Sequence, residues 1–463
     1  MSRTVSATST TTTISISARR ALLSACIAST LAFAGSTCGD KSTKPNEQPS
    51  FAYVLGTAPC TTRDSALPAK SIAFTDPCFH CAITRITDRQ TDAYSGPGIE
   101  NEYARTDPEN SDGSRIMLRG NDGEWYLYDA RNLQLLHHLN IVGGGEEPEP
   151  RWSPSHANLF YYIYGPELRE YDISTGTSRS IHDFHFDLPA AAYITMKTEG
   201  DASTDRGAWC FMIEDDTFAP IAVITYDMTH DLLLGQRTQF PDAINWVSMD
   251  PSGRHCLIGY ESREGEVCSP DFSSNHNLPA GASGHMDLAV DAAGRDVLVY
   301  QSNTTDWIAM TDLDNISEVE LVEIPFPTNT DIGLHFSGNC VRTPGWVLVS
   351  TYGSRNPPTG RSHSWMDEQI FMVELKTNPR IWRIAHTHSF TSLDYEGEKN
   401  YFAEAFATIN TTGTRIIFGS NWKDMTTDYS EAYRIDLPEG WASSMPASRP
   451  VLGSARKAST PTR

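Results

Sequence analysis

The chain of 463 residues is poor in basic side chains, with 36 Lys and Arg against 58 Asp and Glu and a formal net charge of −22. This imbalance excludes a nucleic-acid partner on electrostatic grounds, because nucleic-acid binding depends on cationic side chains that neutralise phosphates. Helix signals are nearly absent. No hydrophobic run after the N-terminal segment reaches the roughly 18–20 residues of a membrane span.

Common catalytic motifs are also missing. The chain has no G-x-S-x-G elbow, no P-loop and no dinucleotide fingerprint. Its Gly-rich stretch at 143–152, GGGEEPEPRW, is acidic and lacks the Lys that a phosphate cradle needs. The enzyme classes that these motifs mark are therefore poorly supported.

The chain instead contains a strand pattern that repeats along its length. Each copy has a turn signal such as Pro-Ser-Gly or Thr-Gly, followed by a strand that alternates in Val, Ile, Leu, Phe and Tyr. The clearest copies are 151–176, 247–260, 288–301 and 407–420. Strand-only repeats spaced by about 40–50 residues or more are typical of a propeller. We therefore predict an all-β, seven-bladed β-propeller over residues 51–440, with six or eight blades as the alternatives. A linker at 39–50 precedes it, and a disordered Ser/Pro/Ala-rich tail at 441–463 follows it.

The N-terminal segment has the features of a secretory signal. Arg19 and Arg20 precede the apolar stretch 21–35, and small residues follow it. We assign residues 1–38 to this signal and expect an exported protein of the cell envelope or the medium. Cys38 lies where a lipoprotein signal places its lipidated cysteine, so membrane attachment through a lipidated Cys38 is an expectation.

Seven cysteines follow Cys38, and in an oxidising compartment some of them should pair. Cys256 and Cys268 flank what read as adjacent strands of one blade. Cys60 is placed to reach Cys78 or Cys81. The C-x-x-C at Cys78 and Cys81 also invites a redox or zinc interpretation, but no second such pair accompanies it at finger spacing. We favour disulfides or buried thiols.

Several stretches resemble a family of exported bacterial seven-bladed propellers. They are 74–88 (FTDPCFHCAITRITD), 284–299 (GHMDLAVDAAGRDVLV), 333–339 (GLHFSGN) and 401–422 (YFAEAFATINTTGTRIIFGSNW). The family is distantly similar to propeller polysaccharide lyases of the ulvan and oligogalacturonate types. Such lyases use His, Tyr and Arg around the channel, some with a bound metal, to remove a proton beside a uronate carboxylate. Their catalytic residues do not align one by one with this chain.

Blade starts supply the candidate site, because a propeller gathers them around one channel. We predict four catalytic residues, His285, His335, Tyr103 and Arg105. For substrate binding we predict Arg151, Lys197 and Asn245. A divalent cation would be held by His285, His335 and Glu404, since borderline metals accept nitrogen and oxygen ligands together. The alternative is structural, because polar residues at blade starts often only hydrogen-bond neighbouring blades.

A second His pair, His386 and His388, has the i, i+2 spacing that puts both on one face of a strand. They are candidate metal ligands, although a partly exposed pair of this kind is more often incidental.

Two functions follow. The first is a carbohydrate-active polysaccharide lyase that acts on a uronate-containing glycan by β-elimination. The second is a non-catalytic surface or periplasmic propeller that binds protein or glycan, with its channel polar residues structural. A catalytic channel should hold a His beside a Tyr or carboxylate in an open, positively biased pocket. In a binding scaffold, His285 and His335 should each be satisfied by a neighbouring blade.

Overall fold

Strands dominate the computed structural model, which describes residues 53–60, 65–92, 94, 96–282, 284–326, 332–353, 364–391, 401–424 and 429–447. All of them belong to the unit Phe51–Arg463. The predicted signal and Cys38 lie outside the described residues. Within the described part of the chain, no helix is long and apolar enough to cross a membrane.

Three short strands come first, β1 (Val54–Leu55), β2 (Ala73–Thr75) and β3 (Ala82–Arg85). The strands that follow form successive meanders, here called blades 1 to 7. Blade 1 contains β4 (Gly98–Glu100), β5 (Arg115–Gly120), β6 (Trp125–Asp129) and β7 (Leu135–Leu139). Blade 2 contains β8 (Arg151–Trp152), β9 (Leu159–Tyr164), β10 (Glu167–Asp172) and β11 (Thr177–Asp183). Blade 3 contains β12 (Tyr193–Thr195), β13 (Ala208–Glu214), β14 (Pro220–Asp227) and β15 (Leu232–Arg237).

The remaining blades follow the same order. Blade 4 contains β16 (Ile244–Met249), β17 (Cys256–Tyr260), β18 (Glu266–Cys268) and β19 (Asn275–Asn277). Blade 5 contains β20 (Met286–Val290), β21 (Asp296–Ser302), β22 (Trp307–Asp312) and β23 (Glu318–Glu323). Blade 6 contains β24 (Gly333–Ser337), β25 (Trp346–Tyr352), β26 (Gln369–Glu374) and β27 (Ile381–His386). Blade 7 begins with β28 (Thr408–Ile409), β29 (Arg415–Ser420) and β30 (Ser430–Asp436).

Closure of the array depends on the first strands of the chain. β30 pairs antiparallel with β3, so that β3 and β2 complete blade 7. β30 also pairs in parallel with β4, which joins blades 7 and 1 in one nine-stranded sheet. β1 instead adds to the outer edge of blade 6 through β27. The described strands thus group into seven meanders, and the predicted all-β propeller class is confirmed.

The turns that the sequence indicated recur in the structure with the same chemistry. The Oδ1 atom of Asp250 accepts hydrogen bonds from the backbone N–H groups of Arg254 and His255. Asn410 Oδ1 does the same for the N–H groups four and five residues further on. Each turn has a Gly at positive φ, 75° at Gly253 and 73° at Gly413, which suits a residue without a Cβ atom. An Asp or Asn followed three residues later by Gly therefore sets the hairpin between the first two strands of these blades.

Two disulfides lie among the described residues, Cys60–Cys78 and Cys210–Cys256. The first agrees with one of the two partners expected for Cys60. Cys256 and Cys268 lie on adjacent strands of one blade, as the sequence indicated, and face each other across β17 and β18. They are not bonded to each other, because Cys256 is bonded to Cys210 of the preceding blade and Cys268 is a buried thiol. Packing between blades, and not neighbourhood within one, decides this pairing.

The ordered chain extends beyond the predicted boundary at residue 441. Trp441–Ser444 form a short helix, α1, and the Trp441 side chain is 1% exposed. Its indole Nε1 donates to the carbonyl oxygen of Gly413 at 2.6 Å, and its ring contacts those of Trp346 and Trp382. The assignment of this start of the tail to disorder is corrected, since its aromatic ring completes the core between blades 6 and 7. Residues 448–463 lie outside the described residues.

Candidate functional site at the blade starts

The two predicted channel histidines are in contact. His285 immediately precedes β20, and His335 is the third residue of β24, the first strand of the next blade. Their ring centroids lie 4.7 Å apart in an edge-to-face arrangement. The starts of neighbouring blades therefore bring together residues that are remote in the chain, as a propeller requires.

His335 is 2% exposed and enclosed by aromatic rings. Tyr103, Tyr352 and Phe406 have ring centroids at 5.5, 5.0 and 4.6 Å from its imidazole. Its Nε2 atom lies 3.0 Å from Oε2 of Glu404. Burial, together with the positive charge of Arg105, lowers the pKa of His335 to about 3. The imidazole is therefore neutral at neutral pH, and its Nε2 atom shares a hydrogen bond with the Glu404 carboxyl group.

His285 is half-buried, and its Nε2 atom is 3.3 Å from the hydroxyl oxygen of Tyr352. Tyr352, the last residue of β25, was missed by the sequence analysis. It is paired in register with Gly333, and a Cβ atom on Gly333 would come within 2.2 Å of the tyrosine ring. A Gly that opens a blade's first strand was the available signal, because it marks a place where another side chain crosses the strand.

Tyr103 lies beside His335 and is 8% exposed. Burial raises the pKa of its phenol well above the usual value, so the hydroxyl stays protonated at neutral pH. Arg105 follows two residues later, with its guanidinium 4.8 Å from the Trp246 ring. Its Nη1 donates to the carbonyl oxygen of Glu199 at 3.0 Å, and its Nη2 is 3.0 Å from the Glu199 carboxylate. The positive charge of Arg105 is thus already paired.

Arg151 does not have the geometry of a substrate-binding residue. Its side chain is 0% exposed and lies 2.7 Å from the Glu102 carboxylate, with a further hydrogen bond to the carbonyl oxygen of Gly200. A ligand does not reach a guanidinium that is fully enclosed and paired. The expectation for Arg151 is therefore corrected to a structural role in which it ties blade 2 to blades 1 and 3.

The other two predicted substrate-binding residues lie apart from the histidines. The Lys197 ammonium is 2.7 Å from Glu214 and 3.2 Å from Glu146, so its charge is balanced within the protein. Asn245 is half-buried at a register shift between Ile244 and Trp246 in β16. No described contact joins either residue to His285 or His335.

A cavity of about 250 Å³ opens beside Tyr103. Tyr103 and Phe406 are shared between this cavity and the histidine cluster, and Tyr401 and Phe402 add aromatic surface. Glu100, Glu102 and Glu147 bring carboxylates to the same wall, where Arg119 is paired with Glu147 at 2.8 Å. The cavity therefore combines aromatic faces with acidic groups, and its arginine is neutralised.

The predicted metal set is not preassembled. His335 and Glu404 offer one nitrogen and one oxygen 3.0 Å apart, but His285 does not complete a group whose ligand atoms all lie within 4.8 Å of one another. Among the described residues, that condition is met by Asp76, Cys78 and His386. His386 and His388 are each 1% exposed, so the expectation of a partly exposed pair is also corrected.

Comparisons with known proteins agree with the fold. No family model matches the chain, and no curated protein matches it in sequence. Among solved structures, it is similar to an oligogalacturonate lyase in complex with manganese, at 16% identity and a TM-score of 0.56, over 82% of this chain and 99% of that one. An oligogalacturonate lyase from Vibrio parahaemolyticus matches at 14% identity and a TM-score of 0.57, over 80% of this chain and 99% of that one. The chain thus has the propeller fold that these lyases have, at low sequence identity.

Proposed function

We propose that the protein is an exported carbohydrate-active enzyme, a lyase that cleaves a uronate-containing glycan by β-elimination at the channel. The observation that carries the proposal is the contact between His285 and His335, with the Tyr352 hydroxyl beside His285 and the Tyr103 ring beside His335, in a propeller with the fold of oligogalacturonate lyases. An imidazole and a protonated phenol can act as the base and the acid that such a reaction needs.

His285 is the base in this proposal. Its ring is half-buried, whereas His335 is enclosed and engaged with Glu404. The base removes the proton from the carbon next to the uronate carboxylate, and the electrons of that C–H bond form a C=C bond. The C–O bond to the leaving sugar breaks, and Tyr103 donates its phenol proton to the leaving oxygen. His335 orients the cluster as a neutral ring packed against His285.

The substrate carboxylate must be neutralised for its neighbouring proton to leave. Arg105 is a cation beside Tyr103, with its guanidinium 5.8 Å from the phenol ring. Glu199, its present partner, has a side chain that is 29% exposed, so solvent reaches this ion pair. In the proposal the substrate carboxylate takes the place of Glu199 on Arg105.

The manganese bound by one of the similar lyases raises the question of a cation in this channel. Here the donor set is incomplete, since His335 and Glu404 form a pair and His285 does not join them within ligand distance. The proposed steps therefore rest on side chains alone. Activity that survives exhaustive chelation supports this version, and activity restored only by added Mn²⁺ rejects it.

A screen of uronate polysaccharides for the ultraviolet absorbance of the unsaturated product tests the function. The wild type is expected to produce this signal on at least one uronate glycan and on no neutral glucan. His285→Ala should remove it, and His276→Ala, which changes an exposed histidine of β19, should not. Absence of signal on a broad panel with folded wild type overturns the proposal.

A second function, binding without turnover, is favoured by one specific observation. Each channel histidine meets a residue of the next blade, His285 with Tyr352 and His335 with Glu404, which is the pattern of structural hydrogen bonds between blades. The channel cations are also paired with carboxylates. Glycan binding by the wild type that is unchanged in His285→Ala, without product formation, would establish this function.

The proposal also includes export of the protein from the cell. The disulfides Cys60–Cys78 and Cys210–Cys256 are compatible with an oxidising compartment. We extend the proposal to attachment at a membrane through a lipidated Cys38. Replacing Cys38 with Ser should then move the protein from the membrane fraction to the soluble fraction, and an unchanged distribution contradicts attachment.

A further inference from the structure

A group of side chains of the types that bind metals lies at β27, an outer strand of blade 6, whereas the predicted cluster lies at β24, the first strand of that blade. Asp76 follows β2, His386 ends β27, and His388 comes two residues later. All three side chains are buried, with at most 1% exposure. They belong to segments that close blade 7 and extend blade 6, and the proposed reaction uses none of them.

The ring of His386 is held as metal-binding histidines usually are. Its Nε2 atom is 2.9 Å from the carbonyl oxygen of Cys60, and because a carbonyl only accepts, Nε2 carries the hydrogen. Its Nδ1 atom donates a hydrogen to Oδ2 of Asp76 at 2.9 Å, and a metal ion bound by Nδ1 replaces that hydrogen, which leaves as a proton. A ligating imidazole typically donates its other N–H to a backbone carbonyl or carboxylate, which fixes the tautomer and the ring orientation.

Asp76 is oriented equally firmly. Its Oδ1 atom accepts the backbone N–H groups of Cys78 and Phe79, and its Oδ2 atom accepts that of His386. The carboxylate is therefore held in place from both sides, and Oδ2 points to the space between the two histidines.

His388 supplies an independent indication of a ligand. Its ring is stacked on Trp422 with centroids 4.3 Å apart, and among the described residues neither ring nitrogen has a hydrogen-bond partner. Leaving a buried polar group unsatisfied costs about 1–3 kcal/mol. The Nε2 atom of this ring is 4.0 Å from Oδ2 of Asp76, too far for a hydrogen bond but suitable for two ligands of one ion. Ligand atoms around a tetrahedral zinc lie roughly 3–4 Å from one another, given bond lengths of about 2.0–2.3 Å. His388 contacts the group through Asp76 and is outside the set whose ligand atoms all lie within 4.8 Å of one another, which contains Asp76, His386 and Cys78.

Cys78 is the fourth proposed ligand. Its sulfur lies within 4.8 Å of the Asp76 and His386 ligand atoms, but it is bonded to Cys60. A disulfide sulfur is not a thiolate ligand. Reduction by a dithiol transfers two electrons and two protons to the disulfide and leaves two thiols. Cys78 then loses its proton when it binds a metal. The thiolate would add a second negative charge beside that of Asp76, in a buried site where Arg383 is a nearby cation.

We propose that Asp76, His386, His388 and Cys78 form a zinc-class metal site that is controlled by the Cys60–Cys78 disulfide. With the disulfide open, the set is one oxygen, two nitrogens and one sulfur, a tetrahedral combination that suits zinc. When the disulfide is closed, the Cys78 sulfur is not available as a thiolate ligand, and the affinity of the site for zinc falls. The disulfide and tight metal binding therefore compete at this position, and the site is distinct from the channel centre.

Metal binding to Cys60→Ser, in which Cys78 has no disulfide partner, tests the site directly. Zinc is expected to bind this variant at one ion per chain. Cobalt should show the sulfur-to-metal charge-transfer band in the near ultraviolet. His388→Phe in the same background keeps a ring stacked on Trp422 and should weaken binding at least about tenfold, as loss of a ligand requires. Cys81→Ala should leave the band unchanged, since the other nearby thiol is not a ligand here, and His80→Ala, at an exposed position of the same segment, serves as a second control.

The wild type gives a readout that does not depend on any variant. After reduction, zinc should protect Cys78 from alkylation, as measured by peptide mass spectrometry, and the oxidised protein should bind zinc at least about tenfold more weakly. Equal zinc affinity of oxidised and reduced wild type would overturn the disulfide control. Absence of stoichiometric zinc in folded Cys60→Ser, or unchanged binding in Cys60→Ser/His388→Phe, would overturn the site itself.

Discussion

The Nε2 atom of His335 lies 3.0 Å from Oε2 of Glu404, although the two residues belong to the starts of different blades. The pair is enclosed, at 2% and 7% exposure, and Phe406 packs its ring against the imidazole. A neutral imidazole beside a carboxylate at this position is consistent with an orienting role for His335 next to His285. It also connects blade 6 to blade 7 at the point where the proposed chemistry takes place.

Loss of the His335–Glu404 contact should destabilise the fold. We expect His335→Ala to lower the free energy of unfolding by about 1–3 kcal/mol, because the buried carboxylate loses a hydrogen-bond donor and a cavity forms. Glu404→Gln should cost less, since an amide oxygen still accepts the Nε2 hydrogen. Chemical denaturation of both single variants and the double variant measures the coupling. A cost no larger than that of His276→Ala would show that the contact contributes nothing.

The free energy of unfolding should fall as the pH rises, because Glu100 is protonated in the folded protein and loses this proton at alkaline pH. Burial raises the pKa of this 3%-exposed carboxyl to about 8, while Ser430 and Arg119 act in the opposite direction and Glu431 adds to the rise. The folded protein therefore keeps a proton here that the unfolded chain releases near its ordinary value. The stabilisation is complete below that value and is lost as the pH rises through about 8.

Glu100→Gln is the matching variant, because the amide keeps the shape and removes the titration. We expect it to gain about 1–3 kcal/mol relative to the wild type at alkaline pH, where the wild type must bury a charge. The difference should shrink in acid. Melting temperatures between about pH 5 and about pH 9 measure it. A constant difference over that range would show that Glu100 does not titrate with folding.

The bond between Cys210 and Cys256 should stabilise the contact between blades 3 and 4. Its removal in Cys210→Ala/Cys256→Ala is expected to cost about 2–4 kcal/mol, since the bond closes a long loop in the unfolded chain. Cys268→Ala, at the buried thiol of β18, is the matched control and should cost less. Peptide mapping without reduction should recover the 210–256 pair, and recovery of 256–268 contradicts the structure.

The Trp441 ring should contribute to the core between blades 6 and 7. Trp441→Ala removes a side chain that is 1% exposed and is expected to cost about 3–5 kcal/mol. Phe186→Ala, which removes an aromatic ring that is 84% exposed, should change the melting temperature little. Equal effects of the two substitutions would show that the C-terminal segment does not pack as described.

The sequence was sufficient for the fold class, because strand periodicity and turn chemistry are local. The turns at Asp250 and Asn410 repeat the same pattern of side-chain oxygen and Gly, and each can be recognised within a few residues. Blade starts could be located in the same way. It followed that His285 and His335 face one axis, and their rings are in contact.

Partners within the site could not be predicted, because they depend on how neighbouring blades pack. Tyr352 ends the second strand of its blade and reaches His285 only through the space left by Gly333. The sequence position of Arg151 suggested a channel cation, but its guanidinium is buried and paired with Glu102 and Gly200. Cys256 faces Cys268 within one sheet, yet its sulfur is bonded to that of Cys210 in the preceding blade.

By itself the sequence determined an acidic chain built of repeated strands, since composition, alternation and turn residues act over short distances. Only the tertiary structure decided which charges are cancelled, which thiols are bonded and which histidines meet. Those outcomes depend on contacts between residues hundreds of positions apart, as between Asp76 and His386, and no local pattern encodes such a contact.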